Sequence, residues 1–327
     1  MGSLIDRFGR RFPYLRLSVI EACNYHCSYC LPKGYQAVPG RPKNLDIDEI
    51  ARLLGAFATL GMQKVRLTGG EPSLRRDLTD IIRIAANTPG VEKVALTTNG
   101  CLLQKRIRDW CDAGLTALNV SVDSLDRDCF RKITGHDQLN SILAGVETAL
   151  EGNLQSIKLN AVLLRDLNDD QLPAWLDYLR DRRISLRFIE LMQTGDNLEY
   201  FRQHHLRAEI LEQQLEQSGW RLLPRAADAG PAREYGHADY RGRIGIIAPY
   251  SRDFCAGCNR LRVTSAGDLR LCLFGQMGIP LRPLLQHDDQ QAELLAAVAK
   301  QLGLKQEGHG LHMGDTGITP HLASIGG

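Results

Sequence analysis

The chain has 327 residues, 43% of them hydrophobic, enough for a full core without disulfide staples. Its 40 Lys and Arg nearly balance 38 Asp and Glu, and a net charge of +2 gives no sign of bulk binding to nucleic acid or a membrane surface. No stretch approaches the ~20 apolar residues of a membrane span. The opening MGSLIDRFGRRFPYLRL has no signal-peptide apolar region, so a cytoplasmic location is expected. Nine cysteines, an odd count, then point to metal chemistry or buried thiols more than to disulfides.

In chain order, YLRLSVI (14–20) reads as a strand that runs straight into a cysteine-rich stretch. LDIDEIARLLGAFATLG (45–61) has apolar residues at helix spacing, with the Asp46 region as start signal and Gly61 as stop. Strands follow at 64–68, 93–99, 117–123, 157–164 and 186–192. Helical stretches lie between them, from about Asp77 to Asn87, near 103–113, up to about Gly152 and near 170–182. Six strand-then-helix units in a row predict a parallel sheet with helices outside. Periodicity does not separate a doubly wound sheet from part of a (β/α) barrel. In both, ligands sit beyond the C-terminal ends of the strands. The segments there are EACNYHCSYC, GGEP, TNG, DS, RDLN and QTGD, so the first cysteines, a glycine pair and several polar residues should share one rim. After about residue 200 the rhythm changes to a helix at 204–220, a loop at 226–236 and short strands within 242–275 around three more cysteines.

Cys23, Cys27 and Cys30 give three thiols at spacings of four and three. Structural zinc and protein-bound iron–sulfur clusters usually take four ligands. One reading is zinc completed by His26 or a distant group. Another is inert buried thiols, which fits poorly with three cysteines in eight residues. The third is a 4Fe–4S cluster with one iron left open to a small molecule. GGEP (69–72) after the second strand is either a turn or a backbone left bare for close approach.

Cys255, Cys258 and Cys272 form a second set of three, C-x2-C-x13-C. It is either a zinc knuckle completed by a histidine or by one of Cys101, Cys111 and Cys129, or a second three-ligand cluster. Those last three cysteines are more simply buried thiols. Arg260 and Arg262 sit two apart beside Cys258, so on a strand they share a face, and guanidinium groups suit phosphate and nucleobase acceptors. Gly326 and Gly327 end the chain, either as a frayed terminus or as a tail thin enough to thread into a narrow site.

C-x3-C-x2-C with Tyr29 before the last cysteine, together with GGEP, resembles the radical S-adenosylmethionine (radical SAM) superfamily. FGR, YLRLSV, VRLTGGEPSLR, TTNG, NVSVDSLD, RFIELM, FCAGCNRLRVTSAGDLRLCLF and the terminal IGG extend the resemblance along the chain to one family within it, the GTP 3′,8-cyclases. Departures are Ala22 in place of the usual arginine before the first cysteine, and Leu31 and Leu322 in place of methionine.

The resemblance implies an α/β fold: a partial (β/α)6 TIM-type barrel over 1–200, with a smaller C-terminal cluster-binding domain over 201–327. It implies two 4Fe–4S clusters, one on Cys23, Cys27 and Cys30, and one on Cys255, Cys258 and Cys272 whose free iron meets guanine. Tyr29, Gly70, Ser121 and Met192 would contact SAM. Arg16, Arg66, Thr97, Lys158, Arg260, Leu261 and Arg262 would bind GTP, with Lys64 and Arg187 as weaker additions. Gly326 and Gly327 would enter the site and assist the chemistry. The implied reaction removes hydrogen from ribose C3′ and joins that carbon to guanine C8, as the first step of molybdenum cofactor biosynthesis. An electron-donor protein, the next enzyme (cyclic pyranopterin monophosphate synthase) and a homodimer are the partners this implies, with no nucleic acid and no membrane. Two other readings remain: a radical SAM enzyme of another kind, such as a peptide maturase, and a zinc-stabilised binding module without catalysis.

Overall fold

The computed structural model describes residues 4–37, 39–225 and 229–326. Strands β1 (Tyr14–Ile20), β2 (Lys64–Gly69), β3 (Lys93–Thr98), β4 (Ala117–Ser121), β5 (Ser156–Leu163) and β6 (Ser185–Glu190) pair in parallel, each beside the next in the chain. That order has no reversal. A doubly wound sheet turns back at a switch point, whereas a barrel wall does not. The strand order therefore separates the two folds that periodicity leaves open, in favour of the barrel.

Helices α1 (Ile47–Thr59), α2 (Leu78–Asn87), α3 (Leu103–Asp112), α4 (Arg127–Thr134), α5 (Leu139–Leu150) and α6 (Leu172–Leu179) fill the crossovers. The outer positions of each strand are apolar and pack beneath them: Leu15, Leu17, Val65, Leu67, Leu118 and Leu159 are all buried in one core. Burying each such side chain contributes roughly 1.5–3 kcal/mol. Helix α1 begins where expected. The Asp46 carboxylate accepts from the Glu49 N–H at 2.9 Å, and the Glu49 carboxylate accepts in return from the Asp46 N–H at 2.9 Å. Glu49 also receives two bonds from Arg282 at 2.8 and 3.0 Å, which ties the C-terminal third to the barrel.

That third contains α7 (Leu198–His204), α8 (Glu209–Gln217), β7 (Arg221–Leu222), β8 (Arg233–Gly236), β9 (Arg243–Ile247), β10 (Arg260–Val263), β11 (Asp268–Arg270), β12 (Ile279–Pro280) and α9 (Gln291–Leu302). It builds onto both edges of the same sheet. β9 pairs in parallel with β6, and β10 in parallel with β1. Residues 248–259 therefore pass from one edge of the wall to the other and carry Cys255 and Cys258 across its open side.

Two local expectations change. The helix expected at 204–220 is broken between α7 and α8, because the buried Glu190 carboxylate draws in His205 Nε2 at 2.9 Å and the Arg207 guanidinium at 3.5 Å. The loop expected at 226–236 holds β8 at its end, paired antiparallel with β9. Among the described residues, no helix is long and apolar enough to cross a membrane.

Candidate active site

Period-two alternation puts the polar residues of each strand on the inner face of the wall. In register across neighbouring strands stand Arg262 with Arg16, Arg16 with Arg66, Thr97 with Asn119, and Asn119 with Lys158. All of these residues, with Tyr14, Arg187 and Arg260, line a cavity of about 1580 Å³. A packed barrel fills this space with branched apolar side chains. Here it is left open and cationic.

The cations are buried, and they press on one another. Burial pulls Arg16 down, Arg66 and Arg260 add to that, and Tyr14 opposes it, for a value of about 10. Burial also pulls down Lys158, joined by Arg187, Arg66 and Lys64, to about 7. Arg262 is drawn well down by burial, then by Arg16 and Arg260. At Tyr14 burial pushes the phenol up, but Arg66, Arg16 and Lys64 together outweigh it and bring it to about 6. Arg66 is held in place by donating to the Tyr14 hydroxyl and, at 3.0 Å, to the Thr97 hydroxyl. Arg187 is held by Glu234 at 2.8 Å. Such an interior is strained by its own charge and suited to a polyanion.

Leu261 does not belong with the two arginines that flank it. Its side chain is buried in the core beneath the helices, opposite Leu15. The middle residue of an R-L-R strand points to the other face, so the Leu261 side chain packs away from the cavity and only its backbone is left for the contact expected of it.

The two cysteine sets lie on different sides of this cavity. Cys255, Cys258 and Cys272 line it directly, as does Met192. Arg10, from the FGR segment, donates to the Cys255 carbonyl at 3.1 Å and braces that loop. Cys23, Cys27 and Cys30 lie outside the lining, as do Tyr29, Gly70 and Ser121. The C-terminal tail stands between. Backbone N–H groups of Ala323 and Leu322 face the Cys30 sulfur. Ile325 is buried among Tyr250, Leu273 and Phe274, with Cys272 and Met192 against the same cluster. The Gly326 carbonyl accepts from Arg16 at 2.8 Å and from Arg262 at 3.2 Å. Gly327 lies outside the described residues.

GGEP is fastened to the cysteine loop. A Cβ on Gly70 would lie 2.2 Å from the Glu21 carbonyl oxygen and 2.3 Å from that of Ala22, so the chain itself fills the side-chain direction. The Gly70 N–H donates to Ile20 and the Glu71 N–H to Ala22, each at 2.8 Å. Glu71 is fully buried and accepts from Thr98 Oγ1 at 2.7 Å and the Asn99 N–H at 2.6 Å, which joins GGEP to TNG. Tyr29 donates to Asp123 at 3.0 Å, and burial raises that carboxyl to about 6.

All nine cysteines are free. One member of each triad feels the other two: Cys23 and Cys30 bear on Cys27, and Cys258 and Cys272 bear on Cys255. Among the described residues, no three His, Cys, Asp or Glu side chains close tightly enough for a single metal ion. A set of three thiols suits a four-iron core with one iron open better than a zinc ion, which usually takes four protein ligands. The surroundings differ between the sets. Burial pushes Cys23 to about 11 and Cys30 to about 12, with the acids Glu71 and Asp123 adding to the rise. Burial likewise pushes Cys258 up, but Lys305, Arg260 and Arg10 outweigh it and hold that thiol low. Cys101 stands beside the first set, where its charge bears on Cys23.

A GTP 3′,8-cyclase of Stenotrophomonas maltophilia strain R551-3 is 68% identical to this chain over 327 residues, covering 100% of both. Another, from Aeromonas hydrophila, is 54% identical and covers 100% of this chain and 97% of its own length. The chain belongs to the GTP 3′,8-cyclase family. Within that family chain, the Radical SAM superfamily profile matches residues 17–179 and the Molybdenum Cofactor Synthesis C profile matches 184–311. Among solved structures, Streptococcus suis SuiB bound to S-adenosylmethionine has a TM-score of 0.62 at 14% identity, over 90% of this chain and 68% of its own. That likeness is one of fold. Membership brings a 4Fe–4S cluster and SAM as cofactors of the superfamily, and the Cys23–Cys27–Cys30 donor set fits that cluster.

Lys158 gives a pH prediction for the substrate-free protein. Its folded value, about 7, lies below the 10.5 of a free lysine. Between those values the unfolded chain binds more protons, so stability rises with pH across that window, and the cost is full below it. Lys158→Met should raise the melting temperature by about 3 °C or more at pH 6. The gain should shrink towards pH 10, and GTP affinity should fall roughly tenfold. Equal melting temperatures at pH 6 would contradict this.

Proposed function

We propose that the chain is a radical SAM GTP 3′,8-cyclase. It converts GTP to (8S)-3′,8-cyclo-7,8-dihydroguanosine 5′-triphosphate in the first step of molybdenum cofactor biosynthesis. One observation carries this: buried cations on adjacent strands line a single cavity that the second cysteine set borders and the tail separates from the first. A nucleoside triphosphate is the ligand whose charge matches such an interior.

In this reading Arg16, Arg66, Lys158 and Arg187 take the triphosphate, with Thr97 holding Arg66 in place. Arg260 and Arg262 face the base beside Cys255, Cys258 and Cys272, the ligands proposed for a second 4Fe–4S cluster. Tyr29, Gly70, Ser121 and Met192 form the SAM side. Gly70 offers backbone there because no side chain fits against Glu21 and Ala22. When bound, the first cluster and SAM supply the one-electron chemistry that removes hydrogen from ribose C3′. The protein fixes the ribose between the two sides and keeps water out. Gly326 closes the space between Arg16 and Arg262.

The proposal extends to a functional division near residue 200, a cytoplasmic setting that keeps the thiols reduced, and a homodimer. It also includes an electron-donor protein and a following synthase that forms cyclic pyranopterin monophosphate. The test is anaerobic reconstitution with iron and sulfide, then SAM, GTP and a reductant, with mass analysis of the nucleotides. Cyclised dihydro-GTP formed together with 5′-deoxyadenosine is expected. Deoxyadenosine with GTP unchanged would overturn the substrate assignment.

A further inference from the structure

Lys305 is a buried cation for which the GTP reading has no use. It lies just beyond α9 and is 3% exposed. Its ammonium donates to the Leu271 carbonyl, one residue before Cys272, and stands 5.1 Å from the centre of the Phe12 ring. Among the described residues no carboxylate pairs with it. A buried charge is costly unless something of opposite sign answers it. The groups beside this one are the second cysteine set: Lys305 acts on Cys258 more strongly than Arg260 or Arg10 does, and it acts on Cys255 as well.

The other cations near that set are engaged elsewhere. Arg10 is paired with Asp6 at 2.7 Å. Its bonds to the carbonyls of Cys255, Gln306 and Glu307, at 3.1, 2.7 and 2.6 Å, fasten the Lys305 segment to the cysteine loop. Arg270 donates to the Gly275 carbonyl and the Thr319 hydroxyl, each at 3.1 Å, and feels Asp268. Arg260 and Arg262 line the cavity, where an anionic substrate would meet them. Lys305 is not part of that lining, so a bound nucleotide does not compete for its charge. The first cysteine set has the opposite surroundings, with the acids Glu71 and Asp123 acting on it. Three thiolates on a four-iron core carry a net negative charge that grows by one on reduction. Net charge and neighbouring polar groups set the potential of such a core. We propose that Lys305 is a positioning residue for the second cluster: from the side away from the cavity it supplies the fixed positive charge that a thiolate-bound cluster calls for, and so raises that cluster's reduction potential. The inference rests on the two-cluster reading.

The test uses full-length protein with Cys23, Cys27 and Cys30 all changed to serine, so that only the second set can be loaded. After anaerobic reconstitution it should hold about four irons per chain. A redox titration followed by the cluster's spectrum then compares three further substitutions. Lys305→Met removes the charge at nearly the same length, and should make the reduced cluster about tenfold harder to form, a fall of about 59 mV for one electron. Lys305→Gln can still donate a hydrogen bond but is uncharged, and should fall in the same direction. It also takes the place of the methionine variant if that one holds too little iron to titrate. Lys305→Arg keeps the charge and should stay within about threefold of the parent. Uncharged variants with an unchanged potential would overturn the proposal. An arginine variant shifted as far as the uncharged ones would make Lys305 a strut for the Leu271 carbonyl, and would overturn it too. A parent protein that binds no iron–sulfur cluster would overturn the two-cluster reading itself, and this inference with it.

Discussion

On the two-cluster reading, reconstituted wild-type protein should hold about eight irons per chain, at four per cluster, and Cys272→Ser protein about four. The variant should still release 5′-deoxyadenosine from SAM and make no detectable cyclised nucleotide. The expectation follows from the separation of the two cysteine sets. Cys272 lines the cavity with Cys255 and Cys258, whereas Cys23, Cys27 and Cys30 lie beyond the tail, clasped to GGEP through residues 20–22. Serine is a poor substitute for a thiolate, and with only three protein ligands the loss of one leaves too few to hold a cluster. The first set shares no ligand with the second, so SAM chemistry there should survive. If the second set holds the cluster proposed to meet guanine, its loss would leave C8 no longer held at C3′. Misplacement of reacting atoms by about 1 Å already costs on the order of a hundredfold. Wild type with about four irons would show that the second set holds something else. A Cys272→Ser variant with all eight would show that another ligand, such as the His309 side chain beside that set, completes the site.

The six barrel strands were legible because each alternates between an apolar outer face and a polar inner one, as in Leu15–Arg16–Leu17. The same rule would have turned the Leu261 side chain away from the cavity. The motif R-L-R invites reading as a unit, while the strand shows its arginines to the cavity and its leucine to the core. It would also have found Tyr14 and Asn119, which stand two residues from Arg16 and Ser121 on the same face. Strand order was not legible, since pairing is set by tertiary contacts that no local window contains. Nor was the use of β9 and β10 to extend both edges of the wall. The break between α7 and α8 depends on Glu190, whose carboxylate lies fifteen residues upstream of His205. Gly70 was legible as a position needing glycine, but the reason was half seen: the obstruction to a side chain is the chain's own Glu21 and Ala22 carbonyls.

Gly326→Ala should lower turnover by on the order of a hundredfold, leave iron content unchanged, and change GTP affinity by no more than about threefold. Gly326 has φ +68°, a conformation that L side chains rarely adopt, and a Cβ there would lie 2.3 Å from Thr68 Cγ2 and 3.1 Å from the Gly69 nitrogen. Thr68 is buried at the end of β2, and Gly69 is fixed against Ile20, so neither can yield cheaply. The tail must back out instead. Arg16 and Arg262 then lose the carbonyl that both donate to, but they remain on their strands and stay available to GTP. Binding should therefore persist while the seal between the two sides opens. Thr68→Ser removes the colliding methyl group without removing the hydroxyl, so the double variant should regain part of the lost turnover; strain from the left-handed backbone would remain. Full turnover by Gly326→Ala alone would place the working tail outside the site. A loss of GTP affinity as large as the loss of turnover would make Gly326 a brace for the two arginines. Recovery with Thr68→Ser at unchanged affinity would tie catalysis to the fit of the tail against β2, which neither loss of the arginines nor general unfolding could mimic.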